Sequence, residues 1–146
     1  MPEFKLMNEQ QKRIVSSNPE LMKSLGGVEV VAIDEQSQSA TLAFTCRPAF
    51  CHTNASIAQG GFITAWMDSA MAHAVILTTD PPLSVASLDI SVRFLEKVGP
   101  GRVIARGWVV RRGRKIASLA ADLHDERGKL LASATSSGML VPLEPG

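Results

Sequence analysis

Tyrosine is absent from this sequence, and aromatic residues make up only 5%, which leaves few rings for stacking nucleic-acid bases. Cys46 and Cys51 are the only cysteines. Two cannot build a disulfide framework, so the chain is expected to work in a reducing cytoplasm. Neither sign of charge dominates, with 15 Lys and Arg against 14 Asp and Glu; that balance argues against nucleic acid or an anionic membrane as a partner. No apolar run reaches membrane-spanning length, and Met1-Pro2-Glu3-Phe4-Lys5 lacks the apolar core of a signal peptide. Repeats, low-complexity tracts and linker-like stretches are also missing. What remains is a chain of 146 residues, 45% hydrophobic and 20% charged. That suits one globular domain over 1–146, with its core over roughly 28–141.

The order of elements follows from local signals. Asn18 can cap a turn with Pro19 at the first helical position, and Gly26-Gly27 ends this short N-terminal helical segment. Val28 to about Cys46 suits two strands about a turn at Glu35-Gln36-Ser37-Gln38, and Arg47 to Ala58 reads as a polar loop. Gly60 to about Thr79 is the one long helix, apolar nearly all the way round, which predicts enclosure by the rest of the protein. Asp80-Pro81-Pro82 stops it. Ala86, Leu88, Ile90, Val92 and Phe94 then alternate with Ser87, Asp89, Ser91 and Arg93, the period of a strand with one inward face. Strands over Arg102–Arg111, around Ala117–Leu123 and over Lys129–Val141 follow, joined at Arg112-Gly113-Arg114 and Glu126-Arg127-Gly128. Two strands, one helix and four antiparallel strands predict an α+β fold, an antiparallel sheet wrapped around a long central helix.

Asp68 is the most informative residue. It lies about two turns into the most apolar helix, where an ionised carboxylate is costly unless paired or hydrogen-bonded. One reading is a structural carboxylate tied to Thr64 or to a strand backbone donor; the other is a catalytic group. Gln59-Gly60-Gly61 stands directly before the helix. Its glycines admit a close ligand, and its unpartnered N–H groups at the positive helix pole suit a developing oxyanion. A glycine-rich helix entry is also common without function; joined to a buried Asp, it suggests acyl transfer. His52, His73 and His124 share no ligand spacing, and Cys46, Cys51 and His52 lack a fourth ligand for zinc, so no metal is expected. Phosphate-loop, dinucleotide and nucleophile-elbow patterns are absent. Arg111, Arg112, Arg114 and Lys115 form the one basic cluster, either a solvated hairpin tip or a site for the phosphates of a small ligand.

Taken together, Gln59-Gly60-Gly61, Asp68-Ser69-Ala70-Met71-Ala72, Ser87-Leu88-Asp89-Ile90 and Arg93-Phe94-Leu95 resemble the hotdog-fold acyl-CoA thioesterases of the phenylacetate-pathway (PaaI-like) type, over roughly Ala40 to Val141. The resemblance implies a hotdog fold and hydrolysis of an acyl-CoA to free acid and CoA, with no cofactor beyond the CoA of the substrate. It puts the catalytic carboxylate on Asp68, as general base or nucleophile, the oxyanion donor on the Gly60 N–H, and a water-positioning hydroxyl on Ser87. Gln59 stands where the family usually has His. The Asn that members often carry six residues before that position is Thr53 here, with Asn54 one residue closer. Gln59 and Asn54 join the catalytic set on that basis. Gly61 and the basic cluster become substrate-binding residues, the cluster facing the nucleotide end of CoA. The resemblance also implies a homodimer joined sheet edge to sheet edge, or a dimer of such dimers, with Gly60 of one subunit facing Asp68 of the other. A non-catalytic acyl-CoA binder or sensor and a hydroxyacyl-thioester dehydratase are the alternatives. The acyl group is not legible, because Ala65, Ala70, Ala72 and Ala74 fit both room for a substrate and close sheet packing.

Overall fold

The computed structural model describes residues 7–143. Two short helices come first. α1 (Glu9–Val15) is closed by a capping box, in which Asn8 accepts the Gln11 N–H at 2.8 Å and Gln11 accepts the Asn8 N–H at 2.9 Å. α2 (Pro19–Ser24) is capped by Asn18, as expected. Both are fastened to the long helix α3 (Gly60–Thr78) through hydrogen bonds to backbone carbonyls. The buried Gln11 amide donates to Leu77 O at 3.1 Å, in the last turn of α3, and the Trp66 indole of α3 donates to Leu25 O at 2.7 Å. These pairings satisfy polar groups whose burial would otherwise be costly.

The strands are β1 (Glu29–Asp34), β2 (Ser39–Cys46), β5 (Leu83–Phe94), β6 (Gly101–Arg112), β7 (Ile116–Asp125) and β8 (Leu130–Pro142). They form one six-stranded sheet in the order β1-β2-β6-β7-β8-β5, every pair antiparallel. β1 and β5 are therefore its edges. The predicted α+β order stands, with one correction. The stretch expected as a plain loop holds a 3-10 turn (Pro48–Phe50) and a small hairpin of β3 (Cys51–His52) and β4 (Ile57–Ala58). Phe50 stacks on Phe62 of α3 at 4.2 Å between ring centres, which holds that excursion against the helix.

α3 packs on one face of the sheet, against all six strands. Trp66, Met67, Ala70 and Met71 are fully buried there with Leu42, Phe44 and Leu123. Helix and sheet approach closely at Gly107 of β6, where a Cβ would overlap the backbone carbonyl of Ala70. Glycine there lets the helix backbone rest on the strand. The expectation that α3 is enclosed on all sides needs correction. In the single chain Ala65, Asp68, Ser69, Ala72 and Ile76 stay half-buried. Their spacing of three and four residues draws one stripe along the helix that the sheet does not cover. Among the described residues no helix is long and apolar enough to cross a membrane.

The expected inward face of β5 is also corrected. Val85, Ile90 and Val92 pack on the core, whereas Ala86 and Leu88 are exposed, Leu88 by 57%. The register against β8 slips between Ser87 and Asp89, leaving Leu88 as the extra residue of a β-bulge. One inserted residue exchanges the two faces of a strand.

Candidate active site

Asp68 sits on the open stripe of α3, and its neighbour across the fold is Ser87 of β5. The Ser87 hydroxyl donates to Asp68 Oδ1 at 2.9 Å. The Thr64 partnership weighed from sequence does not form, because the Thr64 hydroxyl donates to Gly60 O at 2.8 Å. Among the described residues no protein group donates to Asp68 Oδ2. The carboxylate is thus held at one oxygen and left with an accepting oxygen at the other, the arrangement of a base awaiting a proton donor.

The other half lies at the start of α3. Gln59 is the N-cap, and its side-chain Oε1 takes the Gly61 N–H at 2.8 Å. The Gln59 carbonyl takes the Phe62 N–H at 3.0 Å, while the Gln59 N–H is spent on Phe50 O at 2.9 Å. The Gly60 N–H remains, without a protein acceptor among the described residues. Gly60 lines a cleft of about 470 Å³ with Ile57, Ile63, Phe94, Leu95 and Val98, and the polar side chains of His52, Glu96 and Lys97 share its wall. The Phe94 ring lies over Gly60, its edge 3.1 Å from where a Cβ would stand, so this close aromatic cover depends on glycine.

These halves do not meet within one chain. Gly60 and Asp68 are eight residues apart on α3, about 12 Å along its axis. A thioester oxygen held by Gly60 is therefore out of reach of its own chain's Asp68.

Asn54 stands at the tip of the β3–β4 hairpin, between Thr53 and Ala55, with φ of 53°, 56° and 57° for Thr53, Asn54 and Ala55. All three residues are left-handed, a conformation Asn tolerates better than Thr or Ala. Its side chain makes no hydrogen bond among the described residues, and the neighbouring His52 Nδ1 pairs with Thr53 Oγ1 at 2.8 Å. Arg111, Arg112, Arg114 and Lys115 cluster at the exposed β6–β7 turn and form no ion pair among the described residues. The register places them at the Ser87 end of the sheet, since Ser87 pairs with Gly138, Gly138 with Ala117, and Ala117 with Arg112. Three strand spacings separate Ser87 from Arg112, about 14 Å.

The remaining chemically active side chains lie elsewhere. Cys46 and Cys51 are free, their sulfurs 3.7 Å apart, and burial, with the Cys51 contact, pushes the Cys46 thiol up to about 12. No group of three metal-ligating side chains occurs among the described residues. His73 is buried on α3 and pairs with Ser69 O at 2.7 Å; burial holds its imidazole below the ordinary value.

The family model of the thioesterase superfamily matches residues 56–132, just over half of the chain, including Gly60, Asp68 and Ser87. The chain belongs to the thioesterase superfamily. Thioester hydrolysis is accordingly its reaction class, and the likeness to hotdog proteins of the phenylacetate type holds in three dimensions. A phenylacetic acid degradation-related protein of Ralstonia eutropha JMP134 is 26% identical, with 88% of this chain and 98% of that one covered at a TM-score of 0.78. A mutant form of the phenylacetic acid degradation protein PaaI from Thermus thermophilus is 27% identical, with 82% and 97% covered at 0.69. A Streptococcus mutans UA159 protein solved bound to acetyl CoA shares the fold at 16% identity and a TM-score of 0.71, with 82% and 92% covered. No curated protein matches this thioesterase-superfamily chain.

Sequence reasoning passes over two residues beside the site. Phe94 counts there as an inward strand residue, yet it covers Gly60. Ser136 carries no sequence signal, yet it is a buried serine on the strand beside Ser87. The sequence carries no local mark of the bulge, since apolar and polar residues keep alternating through Ser87-Leu88-Asp89-Ile90.

Proposed function

We propose that this chain hydrolyses acyl-CoA thioesters with Asp68 as general base, in a site that two copies complete. The observation that carries the reading is the Ser87–Asp68 hydrogen bond, which holds a carboxylate on an uncovered stripe of α3 with one oxygen free. The Streptococcus mutans protein of the same fold was solved with acetyl CoA, which favours CoA thioesters as the substrate class. The basic turn, about 14 Å from Ser87, suits the phosphates at the far end of such a molecule.

In this mechanism Asp68 Oδ2 takes a proton from water as the water oxygen adds to the thioester carbonyl, while the Ser87 oxygen helps to orient that water. The Gly60 N–H receives the carbonyl oxygen as it gains charge. Collapse of the tetrahedral intermediate breaks the C–S bond, and the proton on Asp68 passes to the departing thiolate, leaving free acid and CoA. Direct attack by Asp68 to give a mixed anhydride is the other course. A first turnover in labelled water that leaves the product acid unlabelled and places the label in the Asp68 carboxylate identifies the anhydride course.

A second copy answers the 12 Å gap. Phe94 marks the Gly60 end of β5 and Ser87 the Asp68 end, about 20 Å apart along the strand. Antiparallel pairing of edge strand β5 with its copy, about a two-fold near Ile90 and Ser91, sets Ser87 of one chain opposite Phe94 of the other. Gly60 of one chain then serves Asp68 of the other, and the half-buried stripe from Ala65 to Ile76 gains a cover.

The test is thiol release from short, medium, long and aromatic acyl-CoAs by the parent and by Asp68→Asn. Turnover by the parent and a loss of about 100- to 1,000-fold in the variant support the reading. Equal rates remove Asp68 from the mechanism, and folded but silent proteins that bind acyl-CoA intact leave a binder.

A further inference from the structure

Regular pairing of β5 with β8 would turn Ser87 away from α3. Ile90 and Val92 face the core, and counting back by twos from Ile90 reaches Leu88 and Ala86, both of which are exposed. Ser87 reaches Asp68 because Leu88 is inserted between the pairs Ser87–Gly138 and Asp89–Ser137. Such a bulge breaks the ladder and leaves backbone groups without their strand partners. Here two side chains take them up. Asp89 Oδ1 accepts the Ser137 N–H at 2.9 Å, and the Ser136 hydroxyl donates to the Asp89 carbonyl at 2.7 Å. Ser136 is only 5% exposed, so its hydroxyl is committed to this bond inside the protein.

We propose that Asp89 is a positioning residue for the Asp68–Ser87 pair: by receiving the Ser137 N–H it fixes the bulge at Leu88, and the bulge aims the Ser87 hydroxyl at Asp68. Asp89 makes no hydrogen bond to Asp68 or Ser87 and takes no part in the proton transfers. The inference rests on the thioesterase reading of Asp68 and extends it to a residue that otherwise counts as a solvated strand acid.

The experiment compares the full chain with Asp89→Ala, Asp89→Asn, Ser87→Ala and the double variant Ser87→Ala/Asp89→Ala. It reads kcat and KM on one acyl-CoA, together with amide hydrogen exchange at Ser137. Asp89→Ala is expected to lower kcat about tenfold or more, close to the Ser87→Ala value, with KM little changed. Asp89→Asn keeps an accepting oxygen and most of the turnover. The double variant is no slower than the slower single one, because both changes act through one hydroxyl. In Asp89→Ala the Ser137 amide exchanges faster while the rest of β8 stays protected. Parental kcat in Asp89→Ala, losses that multiply in the double variant, an Asn variant as slow as the Ala variant, or unchanged Ser137 exchange would each overturn the proposal. Full activity in Asp68→Asn instead removes the catalytic reading, and Ser137 exchange still decides whether Asp89 holds the bulge.

Discussion

Ser87 Oγ lies 2.9 Å from Asp68 Oδ1, and this contact joins the sheet's edge strand to the open stripe of the central helix. A hydrogen bond to a carboxylate at an uncovered site does little for folding, since water can replace it. In the proposed mechanism its effect falls instead on the direction of the carboxylate and on the attacking water. Ser87→Ala is therefore expected to leave the thermal midpoint nearly unchanged and to lower kcat about tenfold, with KM within a factor of two or so. Steady-state kinetics beside a melting curve check this. A large loss of stability with unchanged kcat would make the pair structural.

The basic turn gives a separate handle on binding. Arg112 and Arg114 are exposed and free of ion pairs among the described residues, so reversing their charge costs the fold little. Arg112→Glu/Arg114→Glu is expected to raise KM for acyl-CoA about tenfold with kcat unchanged, and the gap should narrow as salt rises. With a truncated thioester that lacks the nucleotide phosphates, parent and variant should agree. An equal rise in KM for both substrates would place the phosphates elsewhere.

Much of this fold is legible because its signals are local. Asn18-Pro19 starts α2, Asp80-Pro81-Pro82 follows the end of α3, and the glycine-bearing turns bound β6 and β7 close to the expected positions. Asp68 stands out because an acid within an apolar helix is conspicuous. The inward face of β5 is not legible, because one bulged residue exchanges the faces and alternation of residue type carries on through it. Helix enclosure is misjudged for a different reason. Ala65, Ala72 and Ile76 are as apolar as the buried side of α3, and composition cannot tell a stripe covered by its own sheet from one left open in the single chain. The role proposed for Gly60 depends on which N–H groups Gln59 consumes, and that is a matter of geometry.

His73 supplies a pH dependence outside the site. Burial lowers its pKa from the ordinary 6.5, outweighing the Ser69 carbonyl, which raises it. As pH falls below about 6.5, the unfolded chain binds a proton at this ring that the folded chain resists binding. Stability contributed by the neutral ring is thus complete above that pH and is lost below it, by up to about 1.4 kcal/mol per pH unit for one proton. Asp34 and Asp125 have lowered values and lose their contributions only at more acid pH, below their ordinary 3.8. Urea midpoints between pH 7.5 and 5 should fall in the parent and stay nearly level in His73→Gln. Parallel slopes would assign the acid sensitivity to other groups.

The division of the site between two copies is tested by combining two dead variants. Asp68→Asn removes the carboxylate. Gly60→Pro removes the N–H and is compatible with the backbone, because Pro suits the first turn of a helix and Gln59 already has the extended ψ of 136° that a following Pro requires. The atoms nearest an added Cβ at Gly60 are those of the Phe94 ring, the end of an exposed side chain. Each homodimer should be inactive. Refolded together in equal amounts, half of the dimers are mixed, and each mixed dimer pairs an intact Gly60 from one chain with an intact Asp68 from the other. About a quarter of parental turnover should return if the groups act across the two-fold. A site within one chain gives none, because every chain in the mixture lacks one of the two groups. Rising activity on mixing, scaled by the fraction of mixed dimer measured in native mass spectra, would therefore assign the 12 Å gap on α3 to a second subunit.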